Sequence, residues 1–188
     1  MQIIRRLPFV AAALSLGSQT GEALLTSRDI YTTDGCGGTP DFLAMFQTAT
    51  CTNTVCGTAV AYNMPVLGSL SCITDPYTHA AVLFGDTPYV LWDQYLDENC
   101  QVYAGFSTAG RANGDCIATS DHTSRKMLLN ANGTVTSTVY ATSSNCNQQG
   151  AHIETLYGTE YFEESICENG KFGNFVYYNN AHPSPSAN

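Results

Sequence analysis

The chain has 188 residues, with 7 lysines and arginines against 16 aspartates and glutamates, a formal charge of -9 and 12 % charged residues, about half the roughly 25 % of an ordinary soluble domain. Nucleic acids and anionic membrane surfaces are recognised through clustered Lys and Arg, which this balance does not supply. A hydrophobic fraction of 44 % is enough to build a core, which excludes wholesale disorder.

Residues 1–23 read as a secretory signal peptide. Arg5 and Arg6 form a basic start, Leu7 to Gly17 an apolar run, and Gly21-Glu22-Ala23 a small-residue cleavage site. The apolar run is shorter than the ~20 residues that span a bilayer, and no second run of that length and character follows. The expectation is a secreted, extracellular, monomeric protein with no membrane insertion. Residues 24–180 are the size of one domain, and the Pro/Ser-rich stretch 181–188 reads as a disordered tail. Leu24 to Asp34 is expected to form an extended lead-in.

All eight cysteines follow the signal segment: Cys36, Cys51, Cys56, Cys72, Cys100, Cys116, Cys146 and Cys167. An even set in an oxidising compartment reads as disulfides rather than as zinc ligands, which favour closely spaced pairs. The spacing also repeats. Cys51, Cys100 and Cys146 form one series and Cys72, Cys116 and Cys167 another, each advancing by roughly 45 to 50 residues, the size of a reused supersecondary unit. An aromatic precedes each member of the first series: Phe46, Tyr95 and Tyr140. If each unit closes on itself, Cys51 pairs with Cys72, Cys100 with Cys116, Cys146 with Cys167 and Cys36 with Cys56.

The unit looks four-stranded. In the first copy Ala80 to Phe84 and Tyr89 to Tyr95 read as strands joined through Gly85-Asp86-Thr87-Pro88. In the second, Gln101 to Ser107 alternates at period two and another strand surrounds Cys116. Arg125 to Asn130 and Thr134 to Thr142 form a hairpin across Asn130-Ala131-Asn132-Gly133, whose Asn-Gly supplies the positive φ such turns require. Helical spacing is nearly absent. The predicted fold is therefore all-β: about a dozen short antiparallel strands in roughly three repeats, disulfide-stapled, as a trefoil-like barrel or a two-sheet sandwich.

Candidate chemistry is sparse. The four histidines, His79, His122, His152 and His182, belong to no motif; His122 and Tyr77 occupy matching places in two repeats. No Gly-x-Ser-x-Gly elbow occurs, Gly68-Ser69-Leu70-Ser71-Cys72 lying on an expected strand, and every cysteine has a candidate partner. Asp93, Asp97 and Glu98, with Glu160, Glu163, Glu164 and Glu168, offer paired carboxylates of the kind that cleave glycosides or collect calcium, and equally a solvated acidic edge that discourages aggregation. No catalytic, cofactor-binding or metal-ligating residue is assigned.

Aromatics are more suggestive. There are 11 tyrosines and a single tryptophan, Trp92. Tyr157, Tyr161, Phe162, Phe172, Phe175, Tyr177 and Tyr178 crowd the C-terminal part, with aromatics on both faces of the stretch Phe172 to Tyr178. Tyr157, Tyr161, Phe175, Tyr177 and Tyr178 are the candidate ligand-binding residues, since an exposed aromatic can stack on sugars or anchor a protein. Asn132-Gly133-Thr134 is a glycosylation sequon at a predicted hairpin tip.

The segment Asp34-Gly35-Cys36-Gly37-Gly38-Thr39-Pro40-Asp41, the paired Cys51 and Cys56, Cys72-Ile73-Thr74-Asp75 and the recurring aromatic-to-cysteine units resemble small secreted cysteine-rich proteins of oomycetes, over roughly Asp34 to Tyr178. The resemblance implies an extracellular, effector-like protein and carries over no catalytic residue. No Arg-x-Leu-Arg motif follows the signal segment, so delivery into a host cell is not implied. The expected function is non-enzymatic binding of a carbohydrate or of an extracellular protein surface. The rivals are a secreted hydrolase using the carboxylates and a structural component of a cell wall or matrix.

Overall fold

The computed structural model describes residues 24–32, 35–61, 64–147, 149–170 and 173–181. The expected signal segment, Phe172 and His182 with the rest of the tail fall outside them. In chain order the elements are β1 (Leu25–Tyr31), β2 (Phe42–Gln47), β3 (Thr54–Ala61), β4 (Met64–Ile73), α1 (Pro76–Phe84), β5 (Tyr89–Tyr95), β6 (Tyr103–Arg111), β7 (Ile117–Ala118), β8 (Ser124–Leu129), β9 (Val135–Tyr140), β10 (His152–Tyr157), α2 (Glu160–Glu163), β11 (Glu168–Gly170) and β12 (Gly173–Asn179). They form two antiparallel sheets, one of eight strands in the order β11-β12-β5-β6-β2-β1-β4-β3 and one of four in the order β10-β9-β8-β7. The expected lead-in is thus β1, an inner strand between β2 and β4.

The stretch Ala80 to Phe84, expected as a strand, is helical. Asp75 caps α1 through bonds from the Tyr77 and Thr78 amides, Pro76 stands in the first turn and Gly85 ends the helix at φ 54°, the combination that starts and stops a helix. α1 buries Ala80 and Phe84 against Leu43, Met45, Leu91 and Val176 on one face of the large sheet. The small sheet packs on the opposite face, where Met127 and Val135 meet Val90, with Trp92 and Tyr177 beside them. The predicted hairpin across Asn130 to Gly133 is present as β8 and β9, with Gly133 at φ 84°.

The strands do not sort into three like units. The second cysteine unit begins with β6 in the large sheet and continues with β7 to β9 in the small one; the third begins with β10 in the small sheet and returns with β11 and β12 to the large one. This division explains the disulfides. Cys36–Cys56 and Cys51–Cys72 join as the spacing suggested, but Cys100 pairs with Cys167 and Cys116 with Cys146. Cys116 and Cys146 flank strands of the small sheet. β12 pairs with β5 and carries β11 with it, which brings Cys167 to the β5–β6 turn that holds Cys100. The Cys100–Cys167 link spans 67 residues and, in the chain-entropy picture, stabilises by about 4 kcal/mol.

The sheets meet where β6 runs on from one into the other. Leu129 N–H donates to the Ala112 carbonyl at 2.7 Å and Gly114 N–H to the Met127 carbonyl at 2.8 Å. Just before that junction a Cβ on Gly110 would stand 2.7 Å from Met127 Cε and 2.9 Å from Arg125 Nη2, so a larger residue would require the ends of those two side chains to move. Gly110→Val is expected to lower stability in urea unfolding by about 1–3 kcal/mol and to shift the emission of Trp92. Stability equal to the wild type would show that the sheets do not depend on this close approach.

Candidate functional site

The register fixes which side chains share the face opposite α1. Arg28, Ala44, Thr108, Trp92 and Tyr177 stand directly across from one another on β1, β2, β6, β5 and β12, and two residues along the strands Phe46, Phe106, Gln94 and Phe175 form a second row. The short side chains of Ala44 and Thr108 make a floor between Arg28 and Trp92, whose strands are three spacings apart, roughly 14 Å. The result is an open trough of about 450 Å³ that also takes in Ile30, Phe42 and Val60. Val60 on β3 and Phe175 on β12 are six strand positions apart, roughly 29 Å in a flat sheet, yet both line it. The large sheet is therefore curled, with this face concave.

Gly173, at φ 139°, helps shape the β12 end: a Cβ there would lie 3.0 Å from the Gln94 amide nitrogen and 3.2 Å from the Phe175 ring. The Arg125 guanidinium from β8 sits 5.0 Å from the Phe42 ring centre and 5.4 Å from that of Trp92, a cation–π contact that fixes both rings. Thr108 is only 2 % exposed, and its hydroxyl has no hydrogen-bond partner among the described residues. Such groups are rare inside proteins.

Four of the five aromatics expected to bind a ligand come together beside the trough. Tyr177 lies 5.1 Å from Tyr157, 6.3 Å from Tyr161 and 6.4 Å from Phe175 between ring centres, and α2 adds Phe162. The Tyr177 hydroxyl donates to Glu168 Oε2 at 2.5 Å; burial and the neighbouring Glu168 raise its pKa, so it stays a neutral donor. A smaller cavity of about 150 Å³ lies behind this cluster, lined by Val90, Trp92, Arg125, Tyr157 and Tyr177 among others. Tyr178 is a correction. As the neighbour of Tyr177 on a strand it points to the other face, where it is buried edge-on against Tyr77 of α1.

That helix-covered face holds a polar network which sequence reasoning missed. Asp29 and Asp93 are each 2 % exposed. Asp29 accepts from Ser27 at 2.6 Å and Ser71 at 3.0 Å and contacts His79 Nε2 at 3.2 Å. Asp93 accepts from Ser107 at 2.5 Å and from the Tyr77 hydroxyl. Burial raises the Asp29 pKa, but the His79 and serine hydrogen bonds and the charge of His79 outweigh it and hold the carboxyl below its usual value. For Asp93 burial prevails over Ser107 and Tyr77, and the pKa is raised.

The carboxylates expected as pairs are dispersed. Asp93 and Glu168 lie on opposite faces of one sheet, and Asp97 is spent on the Gln101 and Val102 amides of its own turn, at 2.9 and 2.6 Å. Glu98, Glu160, Glu163 and Glu164 are exposed. Asp29 and Asp93 are three strands apart, roughly 14 Å, beyond the ~5 to 10 Å of glycosidase pairs. His122 is exposed beside Asp121 at 3.1 Å, whereas Tyr77 is helical, so the two are not equivalent positions. His152 packs on Tyr140. Asn132 is exposed at the hairpin tip, its side-chain oxygen accepting from the Thr134 amide and hydroxyl at 3.2 and 2.8 Å.

No protein-family model, curated protein or solved structure matches the chain. The trough residues Arg28, Phe42, Gln94, Phe106 and Thr108 carry no motif. Their only sequence signal is alternation, Phe42-x-Ala44-x-Phe46 and Phe106-x-Thr108, which acquires meaning once the strand order is known.

The two aspartates act on stability with opposite sign. The raised pKa of Asp93 makes a contribution to the fold that is present below the unfolded value, about 3.9, and is lost as pH rises through the folded value; the lowered pKa of Asp29 makes one that is present above about 3.9 and is lost as pH falls through the folded value. Lowering the pH from 7 towards 4 should therefore stabilise the wild type relative to Asp93→Asn. Parallel curves of melting temperature against pH for the two proteins would show that the Asp93 pKa is not raised.

Proposed function

We propose that this is a secreted, non-enzymatic carbohydrate-binding protein whose concave face holds a sugar chain. The observation that carries the reading is the trough. Partly buried rings of Trp92, Phe106 and Phe175 line it, and Arg28 and Gln94 add polar side chains to its walls. Stacking on aromatic rings with a few fixed polar groups is how an uncharged sugar is held: the rings cover its apolar face and the polar groups read its hydroxyls. An open trough suits a polymer passing across the strands. Four disulfides accord with an oxidising compartment.

Retention of the oxidised full-length product on insoluble cellulose, chitin and β-glucan, together with a glycan array, tests this. Trp92→Ala and Phe106→Ala are each expected to weaken retention about tenfold, while Val82→Ala, at an exposed position of α1, leaves it unchanged. Retention on none of these glycans, or equal retention by the ring variants, overturns the reading; capture only by an extracellular protein would replace it. For the address, material recovered from a eukaryotic culture medium should begin at Leu24. It should lose mass with an N-glycosidase, and Asn132→Gln should abolish that loss; an unprocessed N-terminus would refute export through the signal segment.

A further inference from the structure

The trough differs in charge from the rest of the molecule. The chain carries -9, yet Arg28 is the single charged residue among the described residues that line the trough. Arg28 is exposed on β1, an inner strand, and makes no ion pair among the described residues. Arg111, by contrast, is engaged by Asp41 and Asp115. A second positive charge, Arg125, sits against the rings of Phe42 and Trp92. Glu168, on β11 beyond Phe175, is occupied by the Tyr177 hydroxyl. A protein with an acidic excess has thus kept one sugar-sized surface locally positive.

Resting on the carbohydrate reading above, we propose that the ligand is an acidic polysaccharide of uronate residues. Arg28 pairs with a ring carboxylate while Trp92 stacks on a neighbouring sugar, across the floor made by Ala44 and Thr108. A guanidinium matches a carboxylate with two parallel N–H donors, and the pairing is stronger than a neutral hydrogen bond. The arrangement requires a ligand with carboxylate and apolar ring face within the roughly 14 Å between the strands of Arg28 and Trp92. A polyuronate has both on successive units, and a neutral glucan would leave Arg28 unpaired.

The test is calorimetric titration of the oxidised protein with polygalacturonate and with the same polymer fully methyl-esterified, which keeps the rings and removes the charge. Esterification is expected to weaken binding about tenfold. Arg28→Gln should weaken polygalacturonate binding by a similar factor with no effect on the esterified polymer, and Arg28→Lys should fall between, with unchanged thermal unfolding in both variants. Equal affinity for the two polymers, no response to Arg28→Gln, or no binding of polygalacturonate overturns the uronate proposal. So does dextran sulfate bound as tightly through Arg28, which would make the site a general anion trap. If the uronate proposal fails while Trp92→Ala still weakens binding of a neutral glycan, the carbohydrate reading stands; if Trp92→Ala alters no glycan binding, both fall.

Discussion

The two sheets are joined where Gly110 leaves room for β8. With no side chain there, Met127 can fill the space between the sheets and Arg125 can reach the rings of Phe42 and Trp92. Dispersion contacts and a cation–π pair then hold the small sheet over one end of the concave face and leave the other end open. A larger residue at Gly110 would displace the ends of the Met127 and Arg125 side chains, and with the latter the contact to the two rings that bound the trough. The trough and the core between the sheets therefore share one steric condition.

The two faces of the large sheet are built on different chemistry. Beneath α1, apolar packing around Leu43, Met45 and Leu91 surrounds two aspartates, each satisfied by serine and tyrosine hydroxyls or by His79. Buried carboxylates are costly unless every lone pair is met, and here the donors come from strands and helix together. That network ties α1 to β1 through His79 and to β5 through Tyr77. On the concave face the polar groups are fewer and less fully bonded: Arg28 without an acid, Thr108 without a partner, and rings that are half-buried.

Local signals in the sequence predicted local structure well. The Asn-Gly turn located the β8–β9 hairpin because its positive φ is set by two residues. Asp75, Pro76 and Gly85 are equally informative about α1, but the regular cysteine spacing makes Asp75 to Tyr77 look like a repeated loop and Ala80 to Phe84, the C-terminal part of the helix, like a strand. The disulfide partners of Cys100 and Cys146 depend on which sheet each following strand joins, a non-local choice that spacing does not encode. The aromatic cluster was visible by composition as Tyr157, Tyr161, Phe175 and Tyr177, although the alternation that separates Tyr177 from Tyr178 needed the exact strand bounds. Arg28 could not be singled out at all, because its significance lies in facing Ala44, Thr108 and Trp92 from three other strands.

The Cys100–Cys167 bond encloses every residue through which the chain leaves the large sheet, builds the small one and returns. Strands on both sides of that excursion meet at β5 and β12, the pair that supplies Trp92, Gln94, Tyr177 and Phe175. A protease in the surroundings that cut the connection between β9 and β10 would yield two polypeptides still covalently linked, with the β5–β12 seam intact. Integrity of that seam can thus outlast the continuity of the chain.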